Sequence, residues 1–316
     1  MSRAGHPLVS IIILYYKRRN TIVETVESAL RQDYPNTELL LVDNHSEDDL
    51  KQVIAPLGPA VRLIELPENL GATGGRNAAI RAAQGKILVF MDDDMSFLSP
   101  GELTKVVNLF EERPDVHVLA FQICDPETGE LRLREWCHPR YWKEFGNLEF
   151  ETDWFCEGAS AFRREVFDAC GLYYEPLFYG TEGHDLAMRV LDHGFRMRYC
   201  PKVQVRHRAA QEGRTSDRQY YFFTRGFVWM AYKDYRFVDG LRFLAPMLLM
   251  MIYFTFRSGS YGAFLRGLWH GVTGLRQIHP DRTPISKTTV KYWTKLEKGR
   301  PGIRVRFARH RTAPQL

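Results

Sequence analysis

The sequence has 316 residues, of which 45% are hydrophobic and 26% are charged, as in an ordinary globular protein. Five cysteines without a CxxC pair argue against a disulfide framework or a zinc knuckle, and they indicate reduced thiols in a cytosolic protein. The net charge is +5, but the segment 281–316 carries ten Lys or Arg and two Asp or Glu. This basic tail indicates an anionic lipid or nucleic-acid partner, or a solvated and partly disordered end.

The first 125 residues alternate strand patterns with helix patterns. Strands followed by helices of about a dozen residues predict βαβ units and a mostly parallel α/β sheet flanked by helices. The N-terminal stretch "MSRAGHPLVSIIILYYKRR" has one short apolar run of strand length, so we expect no signal peptide and a cytoplasmic location. The apolar runs that predict buried strands are 8–16, 38–44, 61–66, 86–92 and 116–123.

After Ile123 this alternation breaks. The stretch "DPETGELRLREW" predicts a hairpin, "DWFCEGASAFRREVFDACG" a strand and a short helix, and "TEGHDLAMRVLDHGFRMRYCP" a helix that stops at Gly194 before a strand. "KVQVRHR" adds a last strand, and from about Gln211 the chain reads as helical.

The segment 241–256 is very apolar, is flanked by arginines and contains Pro246. Without its flanks it has about 14 residues, against roughly 20 needed to cross a bilayer. We therefore expect a buried helix, or an interfacial helix that lies among the lipid headgroups.

Three adjacent aspartates end the fourth predicted strand, in "KILVFMDDDMSF". Ligands of open α/β sheets bind beyond such carboxyl ends. Successive strand side chains point to opposite faces, so Asp92 and Asp94 should face the same way and offer oxygen ligands to Mg²⁺ or Mn²⁺. The alternative is a cluster that caps the helix after Ser99 and Pro100.

Two further features lie near the same predicted edge. Asp43 ends the second strand, where it could bind the N3–H of a pyrimidine or a ribose hydroxyl, or could simply be a turn residue. The loop "ENLGATGGRNAA" enters a helix with Arg76 in its first turn, but it is neither GxGxxG nor a Walker loop. Hydride transfer and P-loop chemistry therefore lack their signatures.

Seven stretches in order carry a family resemblance over about residues 7–208. With them the chain resembles glycosyltransferase family 2, which has the GT-A fold, and in particular its bacterial rhamnosyltransferase-like members. The stretches are "PLVSIIILYYKRRN", "LLLVDNHSED", "ENLGATGGRNAAI", "GKILVFMDDDM", "EGASAFRREVFDACG", "YGTEGHDLAMRVLDHGF" and "VQVRH".

The resemblance implies a domain organisation and a set of ligands. Residues 1–210 would be the GT-A catalytic domain, with a nucleotide-binding half at 1–125 and an acceptor half at 126–210. Residues 211–280 would be a helical extension that is able to lie on a membrane, followed by the basic tail 281–316. The resemblance also implies that nucleotide-sugar contacts come from Tyr16, Asp43, Asn69, Arg76, Asp92, Asp93 and Glu157, and metal contacts from Asp92, Asp94 and His207.

Within this set the resemblance implies individual roles. Tyr16 would lie against the nucleotide base, Asp43 would bind the pyrimidine, and Asp92 would face the ribose while Asp94 holds the metal. Glu157 would lie by the donor sugar and the acceptor. His207 matches a metal ligand of some members, and its alternative is a surface histidine in a basic stretch.

The catalytic base is the point where the sequence departs from the family. Members usually have two acids, a spacer and an Asp at a helix start, whereas this chain has Glu182, Gly183, His184 and Asp185. Glu182 is the expected base and Asp185 is the alternative, because residues three apart share one helix face. Acids at this position also stabilise a helix dipole without any catalytic role.

The expected function is inverting, metal-dependent transfer of a sugar from a dTDP- or UDP-sugar to a glycan or lipid-linked acceptor. The enzyme would be peripheral at the inner face of the cell membrane, with self-association left open. Nucleic acid is not an expected partner, since no basic patch is interleaved with aromatic residues. The missing acid at Gly183 motivates the alternative of a nucleotide-sugar-binding homologue without turnover. A sugar-nucleotide synthesising enzyme would instead need a Gly-rich basic loop after the first strand.

Overall fold

A computed structural model of the protein describes residues 5–208 and 216–301. In this part of the chain nine strands form one sheet, with the order β3-β2-β1-β4-β8-β6-β9-β5 and β7 paired to β9. The strands are β1 (Val9–Tyr15), β2 (Thr37–Asp43), β3 (Val61–Glu65), β4 (Ile87–Asp92), β5 (Met95–Phe97), β6 (Val118–Cys124), β7 (Phe150–Glu151), β8 (Ala159–Arg163) and β9 (Met197–His207). The five apolar runs thus form strands as predicted.

The sheet is mixed, and in this detail the expectation of a mostly parallel sheet is wrong. Strands β3, β2, β1 and β4 are parallel, as βαβ units require, and β6 is parallel to β9. Strand β8 lies antiparallel between β4 and β6, and β5 and β7 are antiparallel to β9. The alternation of strand and helix stops after β6, so β8 enters without the helical crossover that would impose a parallel direction.

Helices cover both faces of the sheet, which explains why its central strands β1 and β4 are apolar along most of their length. Ile11 and Ile13 pack in one layer, and Ile12 packs in the other. The helices are α1 (Arg19–Leu30), α2 (Leu50–Ile54), α3 (Gly71–Ala82), α4 (Glu102–Glu112), α5 (Trp142–Phe145), α6 (Glu165–Cys170), α7 (Glu182–Asp192), α8 (Ser216–Lys233), α9 (Phe237–Ser258), α10 (Tyr261–Thr273), α11 (Leu275–Ile278) and α12 (Lys287–Glu297).

The register of the parallel strands brings their carboxyl ends to one edge. Tyr15 at the end of β1 is the partner of Asp43 at the end of β2. On its other side, Leu14 of β1 is the partner of Asp92 at the end of β4. The acidic residues that the sequence separates by about fifty positions are therefore neighbours across a single central strand.

The helices after residue 215 are packed against the sheet domain. Met230 of α8 and Tyr235 are fully buried in the second core layer. Helix α12 docks through Trp293, whose indole nitrogen donates to Asp153 Oδ2 over 2.9 Å. The predicted basic tail therefore begins with docked structure, while its residues 302–316 lie outside the described residues.

Helix α9 is longer than its apolar stretch predicts. It has 22 residues and continues through Pro246, so it is about 33 Å long. In the described residues it is the one helix that is long and apolar enough to cross a membrane, and 17% of its most apolar window is buried. The expectation that this segment is too short to span a bilayer is therefore wrong.

Candidate active site

A buried arginine joins two carboxylates at the end of β4. Arg76, in the second turn of α3, donates from Nη2 to Asp92 Oδ1 over 2.7 Å and from Nη1 to Glu182 Oε1 over 3.3 Å. Burial by itself would lower the pKa of Arg76, but the charges of Asp92 and Glu182 outweigh it and raise the pKa. The guanidinium thus stays charged and ties the end of the sheet to the start of α7.

The three aspartates divide between two arginines. Strand β4 ends at Asp92, and residues 93 and 94 form a turn, so the alternation of a strand does not extend to them. Asp92 turns to Arg76, whereas Arg18 Nη1 binds Asp93 Oδ1 at 2.6 Å and Asp94 Oδ2 at 2.9 Å. The expectation that Asp92 and Asp94 share a strand face is therefore wrong.

Asp93 has contacts that favour a structural role. It is buried, and besides binding Arg18 its Oδ2 accepts a hydrogen bond from the Tyr16 amide over 2.8 Å. Its carboxylate thus fixes the chain where β1 ends, beside the predicted nucleotide site.

His207 and Asp94 face each other at the end of β9. His207 Nε2 lies 3.3 Å from Asp94 Oδ1, and its Nδ1 lies 2.7 Å from Glu135 Oε1. Burial would lower the pKa of His207, but the hydrogen bonds to Asp94 and Glu135 prevail and raise it to about 9. His207 is 6% exposed, so the alternative of a surface histidine is wrong. The described ranges contain no cluster of three or more His, Cys, Asp or Glu placed to hold a metal by themselves.

The predicted nucleotide residues lie along the ends of β1 and β2. Tyr16 is half-buried, and the Arg218 guanidinium lies 5.7 Å from its ring centroid. Asp43 is 8% exposed and accepts a hydrogen bond from the Ser46 amide over 2.9 Å. Asn69 Oδ1 accepts from the Gly71 amide over 2.9 Å, which shapes the entry to α3.

The two candidate bases on α7 lie in different surroundings. Glu182 faces Arg76, whereas Asp185 is fully buried between Arg189 Nη2 and Lys233 Nζ, each 2.7 Å from it. Burial would raise the pKa of Asp185, but the two cations outweigh it and hold the pKa at about 2. These contacts favour a structural role for Asp185, which anchors α8 to the sheet domain.

Glu157 lies in the turn before β8, close to the start of α7. It is half-buried, and burial followed by repulsion from Glu182 raises its pKa to about 8. The neighbouring Gly158 packs on Asp92, since a Cβ there would lie 2.5 Å from Asp92 Oδ2. The absence of a side chain at Gly158 therefore lets this turn approach the end of β4.

Sequence reasoning missed three residues of this site. Arg18 belongs to the run "KRR" directly after the first strand, and a basic run beside a predicted acidic edge was the signal that could have identified it. Glu135 and Lys233 carry no local signal, because each meets its partner across more than forty residues of chain.

Sequence comparison connects the chain to known proteins. Residues 10–171, about half of the chain, match the sequence profile described as Glycosyl transferase family 2. The chain is 43% identical over 89 residues to a UDP-Glc:alpha-D-GlcNAc-diphosphoundecaprenol beta-1,3-glucosyltransferase of Escherichia coli, which covers 28% of this chain and 35% of that protein. It is 24% identical over 189 residues to the O-antigen chain rhamnosyltransferase of Salmonella anatum, and the match covers 56% of this chain and 58% of that protein. The chain thus spans about a third of the length of the first curated relatives that it matches.

Solved structures resemble the whole fold. The mannosyltransferase from Pyrobaculum calidifontis in complex with GDP-Man and Mn²⁺ superposes with a TM-score of 0.59 at 19% identity, covering 99% of this chain and 89% of that chain. S. aureus TarS in complex with UDP-GlcNAc gives a TM-score of 0.57 at 17% identity, with 92% and 90% covered. At these identities the likeness shows the fold alone, which is of the GT-A type.

Replacing Lys233 by methionine should destabilise the protein by about 3 kcal/mol, because two buried carboxylates, Asp185 and Asp234, lose their shared cation. Urea denaturation followed by circular dichroism measures this loss. Lys202→Met, at a lysine whose side chain is 65% exposed, is the matched control and should change the free energy of unfolding by less than about 0.5 kcal/mol. Equal stability of the two variants would contradict the anchoring role of Lys233.

Proposed function

The chain belongs to glycosyl transferase family 2, and on that premise we propose that it moves a sugar from a nucleoside-diphosphate sugar to a hydroxyl group of a glycan or lipid-linked acceptor. One observation carries the proposal: Asp43 and the Arg76-bound Asp92 lie on either side of β1 at the carboxyl ends of parallel strands, where sheets of this class bind ligands. The relatives that make surface polysaccharides, among them a UDP-glucose-dependent and a rhamnose-transferring enzyme, suggest a UDP- or dTDP-sugar donor and a role in cell-surface polysaccharide synthesis.

The donor nucleotide would lie across the ends of β1, β2 and β4. The half-buried ring of Tyr16 offers a face for the base, and the Asp43 carboxylate at the end of β2 offers an acceptor for a pyrimidine N–H. Asn69 shapes the loop beside them, and Asp92 would receive a ribose hydroxyl. Arg76, bound to Asp92 Oδ1 over 2.7 Å, would hold that carboxylate in place for the contact.

A divalent ion, Mg²⁺ or Mn²⁺, would be held by Asp94 and His207. The donor set fits, because a carboxylate oxygen and an imidazole nitrogen 3.3 Å apart face each other at the strand ends. Two protein ligands suffice for ions that keep waters and take phosphate oxygens as further ligands. His207 must release its proton for this, and Asp92, held by Arg76, is the third candidate ligand. A bound ion would stabilise the negative charge of the departing diphosphate.

The reaction would be a single displacement that inverts the anomeric centre. It needs a carboxylate within hydrogen-bond reach of the attacking hydroxyl, and the cluster around Arg76 supplies the candidates. Glu182 is the base that the sequence predicts. Asp185, the alternative, is unsuitable because Arg189 and Lys233 already bind its carboxylate. Buried, preorganised charges at this edge would supply much of the acceleration.

A nucleotide-sugar-binding homologue without turnover is the alternative function. The observation that favours it is Gly183, which removes an acid from the usual pattern at the start of α7. Both functions predict donor binding, and only the transferase predicts release of the nucleoside diphosphate.

The acceptor side would face a membrane surface. Helices α9 and α10 expose an apolar stripe at helical spacing, with exposed arginines at positions 242, 257, 266 and 276 around it. An apolar face with basic neighbours suits an anionic inner leaflet, which is where lipid-linked acceptors would be met. The stripe consists of Val238, Leu241, Leu249, Ile252, Phe256, Tyr261, Leu265, Trp269 and Val272.

Asp94→Asn should remove the metal-dependent part of nucleotide binding, because it takes one negative ligand from the ion. A donor at a hundred times its dissociation constant stabilises a native protein by about 2.7 kcal/mol, which raises the melting temperature. Thermal unfolding with UDP, dTDP and GDP and their sugars, in Mn²⁺, Mg²⁺ or chelator, measures the effect. Asp115→Asn, at an aspartate with a 46% exposed side chain, is the control. A metal-dependent shift that survives in Asp94→Asn would contradict the metal site.

Replacing Phe256 and Trp269 together by serine should abolish binding to vesicles rich in phosphatidylglycerol. Each large side chain gains about 1.5–3 kcal/mol on burial, so the pair should account for at least a hundredfold in partitioning. Vesicle sedimentation measures this, with Leu148→Ser, an exposed leucine outside the stripe, as the control. Unchanged binding would contradict the interfacial role, and retention in membranes after alkaline extraction would indicate that α9 spans the bilayer instead.

A further inference from the structure

Gly183 stands in α7 where members of the family usually have an acidic residue, and its missing side chain leaves room for another carboxylate. From this geometry we infer that Glu157, and not Glu182, is the base that deprotonates the acceptor hydroxyl, and that Gly183 is the residue that makes space for it. The inference rests on the proposed transferase function and adds a catalytic residue to it.

The Glu157 side chain occupies the position of a side chain at residue 183. A Cβ built on Gly183 would overlap Glu157 Oε1 and would lie 2.5 Å from its Cδ and 3.0 Å from its Cγ. Real Cβ atoms essentially never come this close to a neighbour, so any side chain at position 183 would make the flexible end of Glu157 turn away from its present position. An acid at position 183 and Glu157 in its present place therefore exclude each other, and the carboxylate reaches the start of α7 from the turn before β8.

Glu157 also differs from its acidic neighbours in its partners. Asp92 and Glu182 are bound to Arg76, and Asp185 is bound to Arg189 and Lys233. Within residues 5–208 and 216–301 no ion pair engages Glu157.

Accessibility separates the candidates in the same way. The Glu182 side chain is 4% exposed and the Asp185 side chain is 0% exposed, whereas Glu157 is half-buried. An acceptor hydroxyl can approach Glu157 without first displacing an arginine. Glu182 is then a positioning residue, which fixes Arg76 and through it Asp92.

The proposed step is balanced as a single displacement. The acceptor oxygen forms a bond to the anomeric carbon while its proton passes to a Glu157 carboxylate oxygen. The bond from the anomeric carbon to the diphosphate oxygen breaks, and its electron pair leaves with the nucleoside diphosphate. Protonated Glu157 then returns the proton to water.

Glu157→Gln should lower the release of nucleoside diphosphate by about 10²- to 10⁴-fold and leave nucleotide-induced thermal stabilisation unchanged. The assay uses the full chain with UDP-glucose, UDP-GlcNAc, dTDP-rhamnose and GDP-mannose, and a lipid-diphosphate-linked N-acetylglucosamine as acceptor. Glu165→Gln, at a glutamate with a 59% exposed side chain, is the matched control. Glu182→Gln should weaken donor binding through Arg76 and lower turnover by less than Glu157→Gln does.

A relocation variant tests the exchange of positions. Glu157→Ser should be as inactive as Glu157→Gln. The double variant Glu157→Ser/Gly183→Asp should be at least tenfold faster than Glu157→Ser, because its new carboxylate reaches the same place from α7. Gly183→Ala should lower the melting temperature of the native protein, because the added Cβ displaces Glu157. It should not lower the melting temperature of the Glu157→Gly variant, and this measurement needs no activity.

Three different results would overturn three different parts of the proposal. Turnover by Glu157→Gln within tenfold of the native rate, or a deeper loss in Glu182→Gln with unchanged donor binding, overturns Glu157 as the base. Equal effects of Gly183→Ala in the two backgrounds overturn the exclusion between the two positions. A native protein that neither binds nor turns over any of the donors overturns the proposed transferase function, and the base with it.

Discussion

The buried guanidinium of Arg76 is the contact on which the site depends. An unpaired cation at this depth would be strongly unfavourable, so Arg76 holds Asp92 and Glu182 close to it. Because Asp92 ends β4 and Glu182 begins α7, the same contact joins the end of the sheet to the start of that helix. The turn that carries Glu157 reaches this cluster because Gly158 packs directly on Asp92. A single side chain thus sets the geometry of three acidic positions.

The helical extension is part of the same framework. Lys233 of α8 binds Asp185 in the core of the sheet domain, and Trp293 of α12 donates a hydrogen bond to Asp153. The extension therefore stabilises the domain with its inner surface, and its outer surface is apolar and exposed along α9 and α10. On the proposed function, this connection between the exposed apolar stripe and α7 would hold the carboxylates near Arg76 at a fixed distance from a lipid-linked acceptor.

Local sequence patterns predicted most elements and failed where the chain leaves regular structure. The five apolar runs form strands, as continuous apolar runs of this length do when a sheet is covered on both faces. Alternation failed at Asp93 and Asp94, since β4 had already ended and the turn directs both side chains to Arg18. The length of α9 was underestimated because a helix continues through polar flanks and through Pro246 when neighbouring helices support it. No local sequence pattern indicates that β8 runs antiparallel to its neighbours β4 and β6.

The sequence by itself determined the α/β class, the edge at which acidic residues gather and the family to which the chain belongs. These follow from periodicity and from motifs that are contiguous in the chain. Only the tertiary structure decided which cation each acid meets, that Asp185 is engaged by Lys233, and that Glu157 fills the space beside Gly183. Pairings of this kind join residues between 26 and 106 positions apart, as Glu157 with Gly183 and Arg76 with Glu182, and they depend on packing that no local pattern records.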